Sequence, residues 1–243
     1  MRYLIWMDYD GAEFCGWQIQ PSAPSVQGAL EQALSVLLRE KISVTGAGRT
    51  DTGVNAVGYP AHFDCEAEPD CAELRRKLNA ILPKSIAVRK VERAKEDFHA
   101  RFDARERTYR YFLHREKDPF LERYSYLCAY PNLDFGKMNE AAALLVGRKD
   151  FSCFEKTGAD NKTSVCTVFS AKWVETAPGR WYFEISADRF LRNMVRAIVG
   201  TLIDAGRGKR SVESISELLR SGSRSDSGES VPGHALFLVG VKY

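Results

Sequence analysis

The stretch TGAGRTDTGVNA, Thr45 to Ala56, sets one carboxylate, Asp51, among three glycines, with Arg49 two residues ahead of it. Glycine weakens regular structure and serves where backbone must turn left-handed or approach something closely. Asp51 therefore reads in two ways: as turn chemistry, capping nearby backbone N–H groups, or as a carboxylate presented to a substrate. A carboxylate that works on a polyanion must stay ionised near phosphates, and a neighbouring guanidinium lowers a carboxylate pKa by roughly 1–3 units. Arg49 is close enough along the chain to do so, and the glycines would let a nucleic-acid strand come near. Asp51-Thr52-Gly53 also spells the D-T-G of aspartic proteases, in which two such carboxylates share one proton. This chain carries one copy, preceded by polar GAGRT where the protease loop follows an apolar strand. That chemistry is set aside.

The remaining candidates are arginines. Phe98 to Arg115, FHARFDARERTYRYFLHR, holds five arginines and two histidines interleaved with five aromatics. Arginine binds phosphate through two N–H groups, and aromatic rings stack on unpaired bases. The segment fits equally an exposed strand with its aromatics packed inward. A second cluster, Arg189, Arg192 and Arg196, is spaced three and four apart, which on a helix puts all three on one face. Phe190, Met194, Ile198 and Leu202 would fill another face, and Arg207, Lys209 and Arg210 extend the positive charge past the helix end. A net charge of +3 is a weak pointer to nucleic acid; the clustering says more.

The elements that must position these residues follow from hydrophobic periodicity and turn residues. RYLIWMDYD reads as a strand, GAEFCGWQIQPSAPS as a loop, and SVQGALEQALSVLLRE as a helix with Ser25 at its N-cap. ISVTGAG leads into the aspartate turn and VGYPAHFDCEA leaves it; DCAELRRKLNAIL is a helix closed by Pro83, and SIAVRKVERA a strand. After about residue 105 the order partly repeats. RTYRYFLHRE is a strand, 132–151 a helix, and TSVCTVFSAKWVET with RWYFEISAD a hairpin around Pro178-Gly179. FLRNMVRAIVGTLIDAGRG and SVESISELLRSG are helices, SGSRSDSGESVPG a mobile loop, and ALFLVGVKY the last strand. The implied fold is α+β: two similar α/β halves, residues 1–105 and 106–243, with a largely antiparallel mixed sheet flanked by helices and a central active-site cleft.

The 243 residues, with 28% charged and 44% hydrophobic, exclude global disorder. The absence of an apolar run of membrane-spanning length and of a signal-peptide core points to a cytoplasmic protein. The six cysteines are then expected as free thiols, with no CxxC or CxxH spacing for structural zinc. The four single histidines read as surface or capping residues rather than metal ligands.

With these residues assembled, the chain resembles the tRNA pseudouridine synthase A family. YDGAEFCGWQIQP with SVQGALEQAL is similar to the family's opening loop and helix, and GRTDTGVNA to its active-site loop. FHARFDARERTYRY resembles its basic-aromatic segment, FLRNMVRAIVGTLIDAGRGK its late helix, and ALFLVGVKY its last strand. The resemblance implies the pseudouridine synthase fold and isomerisation of uridine to pseudouridine in the tRNA anticodon stem-loop, at positions 38–40. It implies Asp51 as the catalytic aspartate and Arg49 as the arginine that opens the stack around the target uridine. Tyr109 would pack on the base, Arg196 would pair with the aspartate, and Leu236 or Leu238 would form an apolar wall. Arg101, Arg105, Arg107, Arg110 and Arg192 would hold RNA. No metal or organic cofactor is implied, and the family resemblance points to a homodimer with RNA across both subunits.

Two departures stand out. The family's loop reads GRTDAGVHA, where this chain has Thr52 and Asn55, and Ala235 replaces a glycine near the last strand. Asn offers donor and acceptor groups as a neutral His does, but does not ionise near neutral pH. The alternative that Thr52 and Asn55 favour is a catalytically inactive RNA-binding relative.

Overall fold

The computed structural model describes residues 1–158 and 162–243. The chain divides into two compact units, Met1–Arg105 with Phe237–Tyr243, and Glu106–Leu236.

In the first unit β1 (Arg2–Tyr9), α1 (Val26–Leu38), β2 (Val44–Gly46), β3 (Asn55–Asp64), α2 (Cys71–Ile81) and β4 (Ile86–Arg93) follow in order. β1 is central, antiparallel to β3 on one side and β4 on the other. Its Tyr3, Ile5 and Met7 are buried at alternate positions, the period-2 pattern of a half-buried strand. β2 pairs antiparallel with the far end of β3, Val44 opposite Phe63. The closing strand of the chain, Leu236–Lys242, runs parallel to the near end of β3, Phe237 beside Asn55 and Leu238 beside Ala56. The helices begin where side-chain caps dictate: Ser25 Oγ accepts the Gly28 N–H, and Asp70 Oδ1 accepts the Glu73 N–H.

In the second unit β5 (Glu106–His114), β6 (Tyr126–Leu127), α3 (Phe135–Ala143), β7 (Gly147–Asp150), β8 (Val165–Ala177), β9 (Arg180–Ala187), α4 (Met194–Gly206) and α5 (Ser214–Ser221) follow. The sheet order is β5-β9-β8-β7, antiparallel throughout, with β6 added in parallel to β5. β8 and β9 form the expected hairpin, and Gly179 supplies its turn with a φ of 71°. Sheet and helices in each unit make the α+β architecture read from the sequence. Among the described residues no helix is long and apolar enough to cross a membrane.

Local pattern misplaced four features. The helix expected over 132–151 ends at Ala143; Gly147, at φ 106°, turns the chain so that residues 147–150 add β7 to the sheet edge. The late helix starts only at Met194, because Asn193 takes a left-handed φ of 67°. Arg189 and Arg192 thus precede α4 and share no helix face with Arg196. Helix α4 is also buried nearly all round, eleven of its thirteen residues being inaccessible. Finally, the Ser/Gly-rich loop after α5 is held in place: the Gly228 N–H donates to Thr201 Oγ1 at 2.8 Å, and Gly200 lets the Glu229 carbonyl lie where a Cβ would be. Two of the four histidines are core residues rather than surface ones. His62 Nδ1 accepts the Ala100 N–H, and His114 Nδ1 lies 2.9 Å from Ser125 Oγ.

Candidate active site

Asp51 sits on the connection between β2 and β3, half-buried. Asp51-Thr52-Gly53-Val54 is a tight turn in which the Val54 N–H donates to the Asp51 carbonyl at 3.1 Å. Gly53, third in the turn, has a φ of 76°, the left-handed backbone that a type II turn requires there. The opening loop braces this turn from the side. The Trp17 N–H donates to the Thr50 carbonyl at 3.2 Å and the Gly53 N–H to the Phe14 carbonyl at 3.4 Å. Gly16, at φ 94°, leaves no room for a side chain: a Cβ there would stand 2.4 Å from the Thr50 carbonyl oxygen and 3.2 Å from the Asp51 carbonyl carbon.

Beneath the loop lies an aromatic cluster. Tyr59 packs on Trp17 at 4.3 Å and on Tyr9 at 5.4 Å between ring centroids. The Tyr59 hydroxyl donates to the Gly48 carbonyl, and the Tyr9 hydroxyl lies 2.9 Å from Thr50 Oγ1. Gly46 rests on this cluster, where a Cβ would fall 2.1 Å from Tyr59 Oη. Two glycines of the stretch thus serve the fold itself: Gly46 the packing of the loop on the aromatic cluster, and Gly53 the turn that fixes the backbone of Asp51.

The same geometry explains Asn55. Its side chain is buried, and Oδ1 accepts the Gly11 N–H at 2.8 Å, satisfying a buried donor where the opening loop meets β3. The role is structural and calls for an acceptor, not an ionisable group. Thr52 is exposed on the turn. Arg49, also exposed, is two residues before Asp51 on the loop. Leu238 is buried on the closing strand beside Ala56, where the loop re-enters the sheet. Arg101 and Arg105 are exposed on the segment after β4; the Arg101 guanidinium lies 5.7 Å from the Phe102 ring, and the Arg105 N–H donates to the Lys242 carbonyl.

In the second unit Tyr109 lies on β5 opposite Ile185 of β9, 8% exposed, with Phe190 edge-on to its ring at 5.1 Å. Arg196, in the first turn of α4, donates from Nε to the Val231 carbonyl at 2.7 Å. It also lies within electrostatic reach of Tyr111, two residues along β5 from Tyr109. Burial pushes the Tyr111 pKa up, and the Arg196 charge partly opposes that. The unit thus brings Tyr109's strand and Arg196 together. Leu236 is buried at the start of the closing strand.

The other arginines divide. Arg192 is exposed just ahead of α4. Arg107 Nη1 donates to the Asp188 carbonyl at 2.8 Å. Arg110 is paired with Glu184, its cross-strand partner, at 2.8 Å and lies 4.7 Å over the Tyr182 ring. Arg207 lies over Tyr130 at 3.5 Å, and Arg210 donates to the Asp226 carbonyl, so the charge past α4 is partly spent on the fold. Sequence reading gave no role to Tyr9, Gly16, Trp17 and Tyr59, which hold the aspartate loop, nor to Val231; Phe190, expected on the apolar face of the late helix, lies ahead of α4 and packs on Tyr109 instead. No local pattern marks the others, because their partners lie elsewhere in the chain: Thr50 for Tyr9, Gly16 and Trp17, Gly48 across the aspartate turn for Tyr59, and Arg196 for Val231.

Compared with known proteins, residues 5–103 and 141–243 match the family model described as tRNA pseudouridine synthase. The chain is 50% identical to tRNA pseudouridine synthase A of Bacteroides fragilis, over all of this chain and 96% of that one. It is 48% identical to the enzyme of the same name from Porphyromonas gingivalis, over all of this chain and 97% of that one. With that of Bacillus subtilis it shares 42% identity over all of this chain and 99% of the other.

Proposed function

This chain belongs to the tRNA pseudouridine synthase family, and on that premise we propose that Asp51 is the carboxylate with which it isomerises uridine in the anticodon stem-loop of tRNA, at positions 38–40. The enzyme is an isomerase that makes pseudouridine from uridine in tRNA. The N1–C1′ bond breaks, the uracil turns, and C5 joins C1′. The proton leaves C5 and N1 gains one, so atoms and charge balance with no oxidant or reductant.

The observation that carries the reading is the bracing of the aspartate turn. Gly16, Thr50 and the Tyr9–Trp17–Tyr59 cluster fix the backbone on both sides of Asp51, the preorganisation a reacting carboxylate needs. The departure at Asn55 supports activity rather than its loss, since Asn55 meets a buried N–H and has no proton to exchange. In this reading Arg49 opens the stack around the target, Tyr109 packs on the base, Arg196 pairs with the Asp51 carboxylate, and Leu236 or Leu238 walls the base. Extruding a stacked uridine costs a few kcal/mol, which phosphate contacts elsewhere on the RNA offset. Arg101, Arg105 and Arg192, all exposed, are suited to those contacts. Arg110, already paired with Glu184, is less so.

The protein works in the cytoplasm as a homodimer. Supporting the dimer is a cross-strand row on the second unit's sheet, Phe112–Tyr182–Val174, half-exposed and next to the Arg110–Glu184–Lys172 row. The test of substrate is tritium release from C5-labelled uridine in anticodon stem-loop transcripts. Release should occur with uridine at 38, 39 or 40 and cease when those positions carry cytidine. Release that persists from uridines elsewhere would reject the site assignment.

A further inference from the structure

Arg196 enters α4 through an unusual junction. Asn193 before it is left-handed, with φ 67°, and does not cap the helix with its side chain. Instead Asn193 Nδ2 donates across to Ser230 Oγ at 2.6 Å, on the loop that follows α5. The next residue of that loop, Val231, takes the Arg196 Nε–H on its carbonyl at 2.7 Å and returns its own N–H to the Arg196 carbonyl at 3.3 Å. The carbonyl that orients the Arg196 guanidinium thus belongs to a Ser/Gly-rich segment whose anchoring apolar side chain is that of Val231 itself, while residues 227–230 leading to it are held by polar contacts.

What shapes that segment is Arg224. Its Nη1 donates to Ser227 Oγ at 2.6 Å and to the Gly228 carbonyl at 3.2 Å, and its Nη2 to Ser230 Oγ at 2.8 Å. One guanidinium therefore ties together residues 227, 228 and 230. The fold then pins the result to α4: the Gly228 N–H donates to Thr201 Oγ1, which donates to the Ala197 carbonyl, both at 2.8 Å. Gly200 admits the Glu229 carbonyl, since a Cβ there would sit 1.8 Å from that oxygen.

We propose that Arg224 is a positioning residue for Arg196. It acts through Ser230 and Val231, setting the carbonyl that holds the Arg196 side chain in its working rotamer. An arginine side chain has many rotamers to lose, and an Nε–H bound to a fixed carbonyl removes much of that freedom before substrate arrives. Arg224 touches neither substrate nor carboxylate in this account. The inference rests on the reading of Arg196 given above as the partner of Asp51.

The experiment compares Arg224→Ala, Arg196→Ala and the double variant of the full-length protein, measuring single-turnover pseudouridine formation and tRNA affinity separately. Misplacing a working group by about 1 Å costs on the order of 10²-fold. Arg224→Ala should therefore lose between about tenfold and a hundredfold in turnover, with tRNA affinity within about twofold of wild type. The double variant should be no slower than Arg196→Ala alone. Wild-type turnover in Arg224→Ala beside a slow Arg196→Ala overturns the proposal and leaves the Arg196 reading standing, as does multiplication of the two losses. Wild-type turnover in Arg196→Ala overturns the reading of Arg196 itself, and this proposal with it. Should Arg224→Ala fail to fold, Ser230→Ala removes the shared acceptor while keeping the guanidinium. It should show the same loss confined to turnover, and wild-type turnover there overturns the proposal.

Discussion

Replacing Gly16 by alanine tests how Asp51 is held. The added Cβ would stand 2.4 Å from the Thr50 carbonyl oxygen and 3.2 Å from the Asp51 carbonyl carbon. Carbon–oxygen contacts in proteins begin at about 3.3 Å, so the Thr50–Asp51 backbone must give way by about 1 Å. A φ of 94° adds a strain of about 1–3 kcal/mol for a residue with a side chain. A displacement of that size at a reacting group costs on the order of 10²-fold in rate. Gly16→Ala should therefore fold with a melting temperature lowered by several degrees, bind tRNA nearly as wild type, and form pseudouridine about a hundredfold more slowly. Gly58→Ala is the matched control. Gly58 has a φ of 65° but nothing within 4 Å of its would-be Cβ, so it imposes strain without a push. Its turnover should match wild type. Full activity in a folded Gly16→Ala protein would refute the claim that the opening loop sets the position of Asp51, and an equal loss in Gly58→Ala would assign the effect to strain alone.

Three further outcomes follow from the geometry. Asn55→Leu strands the buried Gly11 N–H and should destabilise the protein by about 1–3 kcal/mol in urea unfolding, whereas Asn55→His, which keeps an acceptor nitrogen, should recover most of that; equal losses would deny Asn55 its acceptor role. His62 has its pKa lowered to about 4, first by burial and then by Arg2. The unfolded chain therefore binds the extra proton at higher pH, and stability present above about pH 6.5 should fall as pH drops toward 4; His62→Asn should flatten that part of the urea-midpoint profile, and an unchanged profile would contradict it. In a salt series on tRNA binding, Arg192→Ala should reduce the slope of log affinity against log salt by about 1, while Arg110→Ala, whose partner is Glu184, should change it little; the reverse order would misassign the RNA-facing arginines.

Sequence alone carried the parts of this structure whose cause is local. Ser25 announces a helix start because its side-chain oxygen satisfies the N–H three residues on. Pro178-Gly179 announces a hairpin because the turn needs a positive φ. The parts that were misread have distant causes. Nothing in FLRNMVR shows that Asn193 turns left-handed to reach Ser230, 37 residues on, and so removes Arg192 from the helix that holds Arg196. The Ser/Gly composition of residues 221–233 suggests mobility, yet Arg224 and the seat at Gly200 fix it. Gly46 was legible as a glycine with a purpose, but the rings of Trp17 and Tyr59 against which it rests are brought there only by tertiary contact. Asn55 likewise looked like a lost ionisable group until its buried partner was seen.

The central claim is that Asp51 is the carboxylate of the reaction. It is tested most directly by comparing wild type with Asp51→Asn on an anticodon stem-loop transcript, scoring binding and pseudouridine formation on the same samples. The neutral amide has nearly the carboxylate's shape, so the turn built on Val54 and Gly53 should persist. The account predicts binding close to wild type and no pseudouridine. Product formed at the wild-type rate by Asp51→Asn would contradict it, as would a wild-type protein that binds the transcript and makes none.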